Sequence, residues 1–148
     1  MVIYLGADHR GFALKERLKA ALKEEGYEIA DEGAAALAPD DDYPDYAGAV
    51  ARGVASAPDL SRGIVVCGSG IGADIAANKV SGVRAGLAAS PDQAYQGRHD
   101  DDINVLALAA DFTDEAAALK IAKVFLTTPF DGGERYARRL RKIAGLEA

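Results

Sequence analysis

The chain has 148 residues, of which 49% are hydrophobic and 27% charged, with a formal net charge of −6. That length suits one domain over 1–148, and a chain of this size buries roughly two-thirds of its unfolded surface without staples. The acidic balance argues against nucleic acid as a partner, the lone Cys67 excludes an internal disulfide, and no apolar run approaches the ~18 residues of a membrane span.

Val2-Ile3-Tyr4-Leu5 is a compact apolar run ending at Gly6, and it predicts a first strand. Residues 11–25 place Phe12, Leu14, Leu18, Ala21 and Leu22 on one helical face, with Lys, Arg and Glu elsewhere, and Gly26 stops that helix. Tyr27-Glu28-Ile29 reads as a weaker strand, residues 31–43 as a loop, and Pro44 opens a helix to about Ala57. Gly63–Cys67 is a strong buried strand, followed by the turn Gly68-Ser69-Gly70-Ile71-Gly72 and a helix over Ala73–Lys79. Val83–Ala88 is a strand again, and Ser90-Pro91-Asp92 carries N-cap, Pro and acidic signals for a helix. Asn104–Leu108 is a fifth strand, Thr113–Phe125 a helix closed by Pro129, and a basic helix spans about 133–144.

This alternation predicts an α/β protein: a three-layer α/β/α Rossmann-like fold with a five-stranded parallel sheet and an extra C-terminal helix. In such sheets ligands sit at the carboxyl ends of strands. Asp8 and His9 follow the first strand and precede a helix. They are either a helix cap and a solvated loop residue, or a carboxylate and an imidazole aimed into a site. Cys67 enters a turn whose three glycines free consecutive N–H groups to converge on an anion. It is either a small buried filler or a thiol beside a helix start, where thiolate is favoured and base chemistry is possible. Gly68, Gly70 and Ala73 also match a dinucleotide pattern with Asp92 as its acid, but the match is mid-chain and leaves little room for a substrate domain; no cofactor is expected.

Arg98-His99-Asp100-Asp101-Asp102 precedes the fifth strand, and three adjacent carboxylates read as a solvated turn; the run lacks the spacing of a defined calcium loop, so no metal is expected. Arg135 and Arg139 lie four apart on one face of the last helix. They are either a solvated face or a phosphate clamp, since guanidinium forks match phosphate geometry.

Several ordered motifs then converge. They are Gly6-Ala7-Asp8-His9-Arg10-Gly11-Phe12 with Leu14-Lys15, Asp42-Tyr43-Pro44-Asp45-Tyr46, Cys67–Gly72 with Ile75-Ala76-Ala77-Asn78-Lys79, Gly82-Val83-Arg84-Ala85, Asn104–Ala107, Pro129–Gly133, Arg135 and Arg139. Across nearly its whole length the chain resembles the type B ribose-5-phosphate isomerases and the related galactose-6-phosphate isomerase subunits. The resemblance implies an aldose–ketose isomerase of a phosphorylated sugar, working through an enediol, with Cys67 as base and Ser69 beside it. It implies that amides of Gly68, Gly70, Ile71 and Gly72 hold the enediolate oxygen, that Asp8 and Tyr43 face substrate, and that His9, Arg135 and Arg139 contact phosphate. It also implies a homodimer or dimer of dimers whose sites lie between subunits, while the lone cysteine and the lack of signal-peptide features in Met1–Gly6 lead us to expect a cytoplasmic protein.

The chain departs from that family in one loop. The family commonly has His then Asn, the His four residues before the strand-five asparagine; the His opens the sugar ring and the Asn joins the oxyanion pocket. Here those positions hold Asp100 and Asp101, and His99 sits one place early. Either the loop shifts to present His99, or Asp100 replaces it, or the substrate is another tetrose, pentose or hexose phosphate. A non-catalytic phosphosugar sensor is the competing class, and it would have no need of Cys67.

Overall fold

The computed structural model describes residues 1–147. Along the chain come β1 (Val2–Ala7), α1 (Phe12–Glu24), β2 (Glu28–Asp31), α2 (Tyr43–Ser56), β3 (Ser61–Cys67) and α3 (Ile71–Ala77). Then follow β4 (Ala85–Leu87), α4 (Pro91–Asp101), β5 (Val105–Ala109), α5 (Glu115–Thr127) and α6 (Glu134–Ala144). The five strands form one sheet in the order β2-β1-β3-β5-β4, and every pairing is parallel. Ala7 pairs with Val66 and Cys67 with Ala109, so the carboxyl ends of β1, β3 and β5 finish side by side.

A parallel sheet covered on both faces needs apolar side chains on both. The alternation along β3 and β5 supplies them: Ile64, Val66, Leu106 and Leu108 join Leu18, Leu22, Ile121 and Phe125 in one core, on the side of α1, α4 and α5. Val65, Cys67, Val105 and Ala107 face the opposite way, into Val50, Val54, Ala73 and Ala77 of α2 and α3. The helix α6 buries no residue and packs outside this sandwich, beside α4. The expected three-layer fold with an extra C-terminal helix is therefore present.

Three expectations change in detail. The edge strand expected over 83–88 shrinks to Ala85–Leu87. Its entry is held by side chains: Asn104 Oδ1 accepts from the Arg84 amide at 2.8 Å and Asn78 Oδ1 from the Ala85 amide at 2.9 Å. The stretch Arg98–Asp102 is not a solvated turn but the last turn of α4, closed by Asp102 in the left-handed region at φ 47°. Asp102 is clamped by two guanidinium groups, Arg98 at 2.7 Å and Arg84 at 2.9 Å, and this offsets the repulsion among neighbouring carboxylates. Arg98 is itself buried and donates to the Ile103 carbonyl at 2.6 Å, which fastens the helix end to β5. Finally, Lys15 belongs to the core rather than the solvated face of α1. It is fully buried, its ammonium bonded to both oxygens of Asp31 at 2.8 and 2.9 Å, which holds α1 on β2.

Candidate active site

The strand order reverses direction between β1 and β3: the chain runs outward to β2 on one side and to β5 and β4 on the other. Ligand crevices in open α/β sheets form at such a point, outside the strand ends. Here the crevice is a cavity of about 350 Å³ lined by Asp8, Arg10, Tyr43, Cys67, Gly68, Ser69, Ile71, Gly72 and Ile75. That volume is within the range of small-ligand sites. A larger cavity of about 810 Å³ lies between β4, α4 and the C-terminal segment, but its wall carries no thiol or imidazole, and the cysteine cavity is the one with chemistry.

Cys67 ends β3, buried, with Sγ accepting from the Gly70 amide at 3.2 Å. The turn closes that tightly because Gly70 adopts φ +75°, a left-handed conformation that L side chains rarely take. The Ile71 amide donates to Ser69 Oγ at 3.3 Å. Of the four amides expected to hold an oxyanion, those of Gly70 and Ile71 thus already have partners within the turn. Those of Gly68 and Gly72 have none among the described residues, so they are the two left to meet a ligand. Gly72 also lets Tyr43 lie against the turn, since a Cβ there would fall 2.6 Å from the phenol ring.

Asp8 lies ahead of α1 and does not cap its first turn, which begins after Gly11 with no side-chain cap. It is 5% exposed, its Oδ1 accepts from the Gly11 amide at 3.0 Å, and it lines the cavity. His9 turns aside to Asp41, which takes both the His9 amide and Nδ1 at 2.9 Å. The bond to Asp41 raises the His9 pKa above the ordinary imidazole value. Burial pushes the Asp41 carboxyl up, but the bonds from His9 outweigh it and hold the carboxyl below its usual range.

The remaining expected residues gather elsewhere. His99 stacks on Tyr95 at 5.2 Å between centroids and meets Tyr136 edge-on at 5.7 Å. Its Nδ1 lies 2.7 Å from Asp100 Oδ1 and its Nε2 lies 3.4 Å from Asp131 Oδ2. Arg139 lies 5.9 Å from the centroid of the Tyr136 ring, and Arg135 is exposed one turn earlier on α6. Asp101 points away into the larger cavity. None of His99, Asp100, Asp101, Arg135 or Arg139 lines the cysteine cavity of the same chain. One chain therefore presents two separate groups: a thiol–carboxylate cavity at the sheet end, and an imidazole–arginine cluster on α4 and α6. Among the described residues no group of three or more His, Cys, Asp or Glu side chains is arranged to hold a metal ion.

Reading the sequence missed one charged residue of the first group. Arg10, noted only as part of a motif, enters the cavity, and its Nη2 donates to Asp111 Oδ2 at the end of β5. A basic residue two positions after a strand-end aspartate is the only signal that pointed to it.

The chain is similar to known proteins over nearly its whole length. The family model described as Ribose/Galactose Isomerase covers residues 3–143. The ribose-5-phosphate isomerase B of Mycobacterium tuberculosis is 41% identical over 147 residues, spanning 99% of this chain and 90% of that one. The crystal structure of ribose-5-phosphate isomerase B from Mycoplasma genitalium with bound ribulose-5-phosphate superposes with a TM-score of 0.95 at 39% identity, covering 99% of this chain and 95% of that one. The Clostridium thermocellum ribose-5-phosphate isomerase B gives a TM-score of 0.94 at 41% identity, covering 99% of this chain and 97% of that one. With the matched region running from β1 to α6 and the sheet superposing throughout, the chain belongs to the ribose/galactose isomerase family.

Proposed function

We propose that this protein interconverts ribose 5-phosphate and ribulose 5-phosphate through an enediolate, with Cys67 as the base. The observation that carries this is the Cys67 sulfur at the sheet switch point, in a small cavity, with an amide donor at 3.2 Å and a buried carboxylate in the same wall. In the aldose-to-ketose direction the thiolate takes the proton from C2 of the open-chain sugar. The electron pair moves into the C1–C2 bond and the carbonyl oxygen becomes an oxyanion. The amides of Gly68 and Gly72 meet that oxygen, and Asp8, Ser69 and Tyr43 hold the neighbouring hydroxyls. The proton of the C2 hydroxyl passes to O1 through the Ser69 hydroxyl in the same wall, the thiol returns its own proton to C1, and C2 becomes the carbonyl. The full site forms between two copies of the chain: the cysteine cavity of one is completed by the α4–α6 cluster of the other, whose Arg135 and Arg139 receive the phosphate together with His9. Support comes from the separation of the two groups within one chain and from the exposed Ile71, Ile75 and Leu87 around the cavity and β4. A working thiol base calls for a reducing compartment, and no helix among the described residues is long and apolar enough to cross a membrane. The test is a panel of aldose and ketose phosphates followed by NMR in D₂O. Ribose 5-phosphate should give ribulose 5-phosphate with solvent deuterium entering at the carbon that is reprotonated. Binding without exchange would establish a sensor instead.

Ring opening is assigned to His99 with Asp100 as its orienting carboxylate. The two side chains are bonded at 2.7 Å, which supports a joint role for them. An imidazole can both take the anomeric proton and return one to the ring oxygen near neutral pH. His99→Ala should therefore lower turnover of ribose 5-phosphate by about 10²-fold and Asp100→Asn by less, given the usual worth of a positioned acid–base group. Steady-state kinetics on both variants, with a four-carbon phosphosugar that needs no ring opening as control, checks this. A harmless His99→Ala together with far better turnover of the four-carbon substrate would move the natural substrate to a tetrose phosphate.

Phosphate affinity should depend on pH through His9. Its raised pKa keeps the imidazole charged above its ordinary value of about 6.5. The cationic contribution to phosphate binding is then complete at low pH and lost as pH rises through the raised value. KM for ribose 5-phosphate should climb severalfold across that window in the wild type and stay flat in His9→Gln. A flat wild-type profile would remove His9 from the phosphate site.

A further inference from the structure

The proposed mechanism leaves two cavity-side charges without a task. Arg10 follows His9 in the loop after β1, and its side chain reaches the glycine turn. The guanidinium lies so closely on Gly68 that a Cβ there would fall 2.2 Å from Cζ and Nε, so the first glycine of the turn makes room for it. On its other side Nη2 donates to Asp111 Oδ2. Asp111 is fixed to the same turn, because its amide donates to the Gly68 carbonyl at 3.0 Å. Two independent contacts thus hold the guanidinium one residue from Cys67.

Stability does not explain this placement. The side chains of Arg10 and Asp111 are 53% and 38% exposed, and ion pairs at such exposure contribute little. A guanidinium carries five N–H donors, and among the described residues only Nη2 of Arg10 has a partner. Arg10 is also the single cation in the cavity wall, which otherwise holds the carboxylate of Asp8 and the thiol of Cys67. Any anionic species entering there meets like charge from Asp8 and needs a donor of opposite sign, which an arginine fork supplies in a geometry matched to oxyanions.

We propose that Arg10, positioned by Asp111, is an oxyanion-binding residue of the Cys67 cavity. Its ligand is an oxyanion of the substrate, either the phosphate monoester or the oxygen that becomes negative in the enediolate. The proposal rests on the isomerase reading above. The experiment compares Arg10→Met, Arg10→Lys, Asp111→Asn and the Arg10→Met/Asp111→Asn pair in steady-state turnover of ribose 5-phosphate, with inorganic phosphate as competitive inhibitor. Arg10→Met is expected to lower kcat/KM at least tenfold, and Arg10→Lys to recover part of the loss. Asp111→Asn should cost less, and the double variant should be no worse than Arg10→Met alone, because Asp111 acts through Arg10. A rise in KM and in the phosphate inhibition constant with kcat kept identifies the phosphate. A fall in kcat with the phosphate constant unchanged identifies the enediolate. A kcat/KM within twofold of wild type in Arg10→Met overturns the proposal, and so does an equal loss in the Met and Lys variants with lowered melting temperatures. If the wild type does not turn over ribose 5-phosphate, the isomerase reading is what fails. Arg10 is then judged by calorimetric titration with inorganic phosphate, where unchanged affinity in Arg10→Met overturns its role.

Discussion

Replacing Cys67 with alanine should lower turnover of ribose 5-phosphate by about 10²–10⁴-fold, the usual contribution of a positioned acid–base group, while substrate binding survives. The sulfur sits on the α2–α3 face of the sheet, where Val65 and Ala107 are its neighbours in the core, so truncation removes one small buried atom at the end of a strand rather than in its middle. Folding should persist. The buried Gly70 amide loses its acceptor, at a cost of about 1–3 kcal/mol that lowers the melting temperature without unfolding the chain. The two functions of Cys67 are thereby separable: KM stays near the wild-type value, kcat collapses, and deuterium exchange at C2 stops. Cys67→Ser serves as the second probe, since a hydroxyl keeps the hydrogen bond from Gly70 but is far harder to ionise than a thiol. It should be nearly as inactive as Cys67→Ala. Near wild-type turnover in either variant would transfer the base to another group, with Asp8 next in line as the only carboxylate in the cavity wall.

What could be read from the sequence followed from the scale of the interactions. Strands β1, β3 and β5 were legible because a fully covered parallel strand must be a continuous apolar run, and Gly6 and Gly68 mark where two of those runs stop. The site at the ends of β1 and β3 followed from the topology, which made Asp8 and Cys67 candidates by position, whereas the roles expected of them came from the family resemblance. Interactions that depend on tertiary distance were not legible. Arg10 and Asp111 are separated by 101 positions, and only the pairing of β1 and β5 with β3 brings them together. Lys15 looked like a surface residue because helical periodicity records polarity, not the Asp31 carboxylate that β2 places within 2.9 Å. The run His99-Asp100-Asp101-Asp102 read as a solvated turn because adjacent carboxylates repel. Its order comes from Arg84 and Arg98, which no local pattern connects to it. His99 itself was recognisable by residue type, whereas its clamp between Tyr95 and Tyr136 required knowing that α6 folds back on α4.

Two inactive proteins should restore activity when mixed. Arg139 sits with Tyr136 and His99 on the α4–α6 side, away from the Cys67 cavity of its own chain. If that cluster completes a neighbour's cavity, Arg139→Ala damages the site that the partner's Cys67 serves. Losing a charge-assisted contact to phosphate should lower kcat/KM by about 10–10²-fold, mainly through KM. The effect should be absent for weak turnover of the unphosphorylated sugar; equal loss on both substrates would mean a structural role. In a mixed dimer of Cys67→Ala and Arg139→Ala chains, one site carries both lesions. The other combines an intact cysteine from one chain with an intact arginine from its partner. Random exchange of subunits makes half of the dimers mixed, and half of the sites in each are whole. At limiting substrate the mixture should therefore regain about a quarter of wild-type activity, provided each subunit contributes to both symmetry-related sites of a two-fold dimer. Sites contained within single chains give a different result, the plain average of the two parents however long the subunits exchange. Measuring activity against time after mixing, with sedimentation to follow the association state, separates the two arrangements. A wild-type protein that sediments as a fully active monomer would rule out the shared site. In that case Arg135 and Arg139 would be the solvated face of an outer helix, as their exposure alone implies.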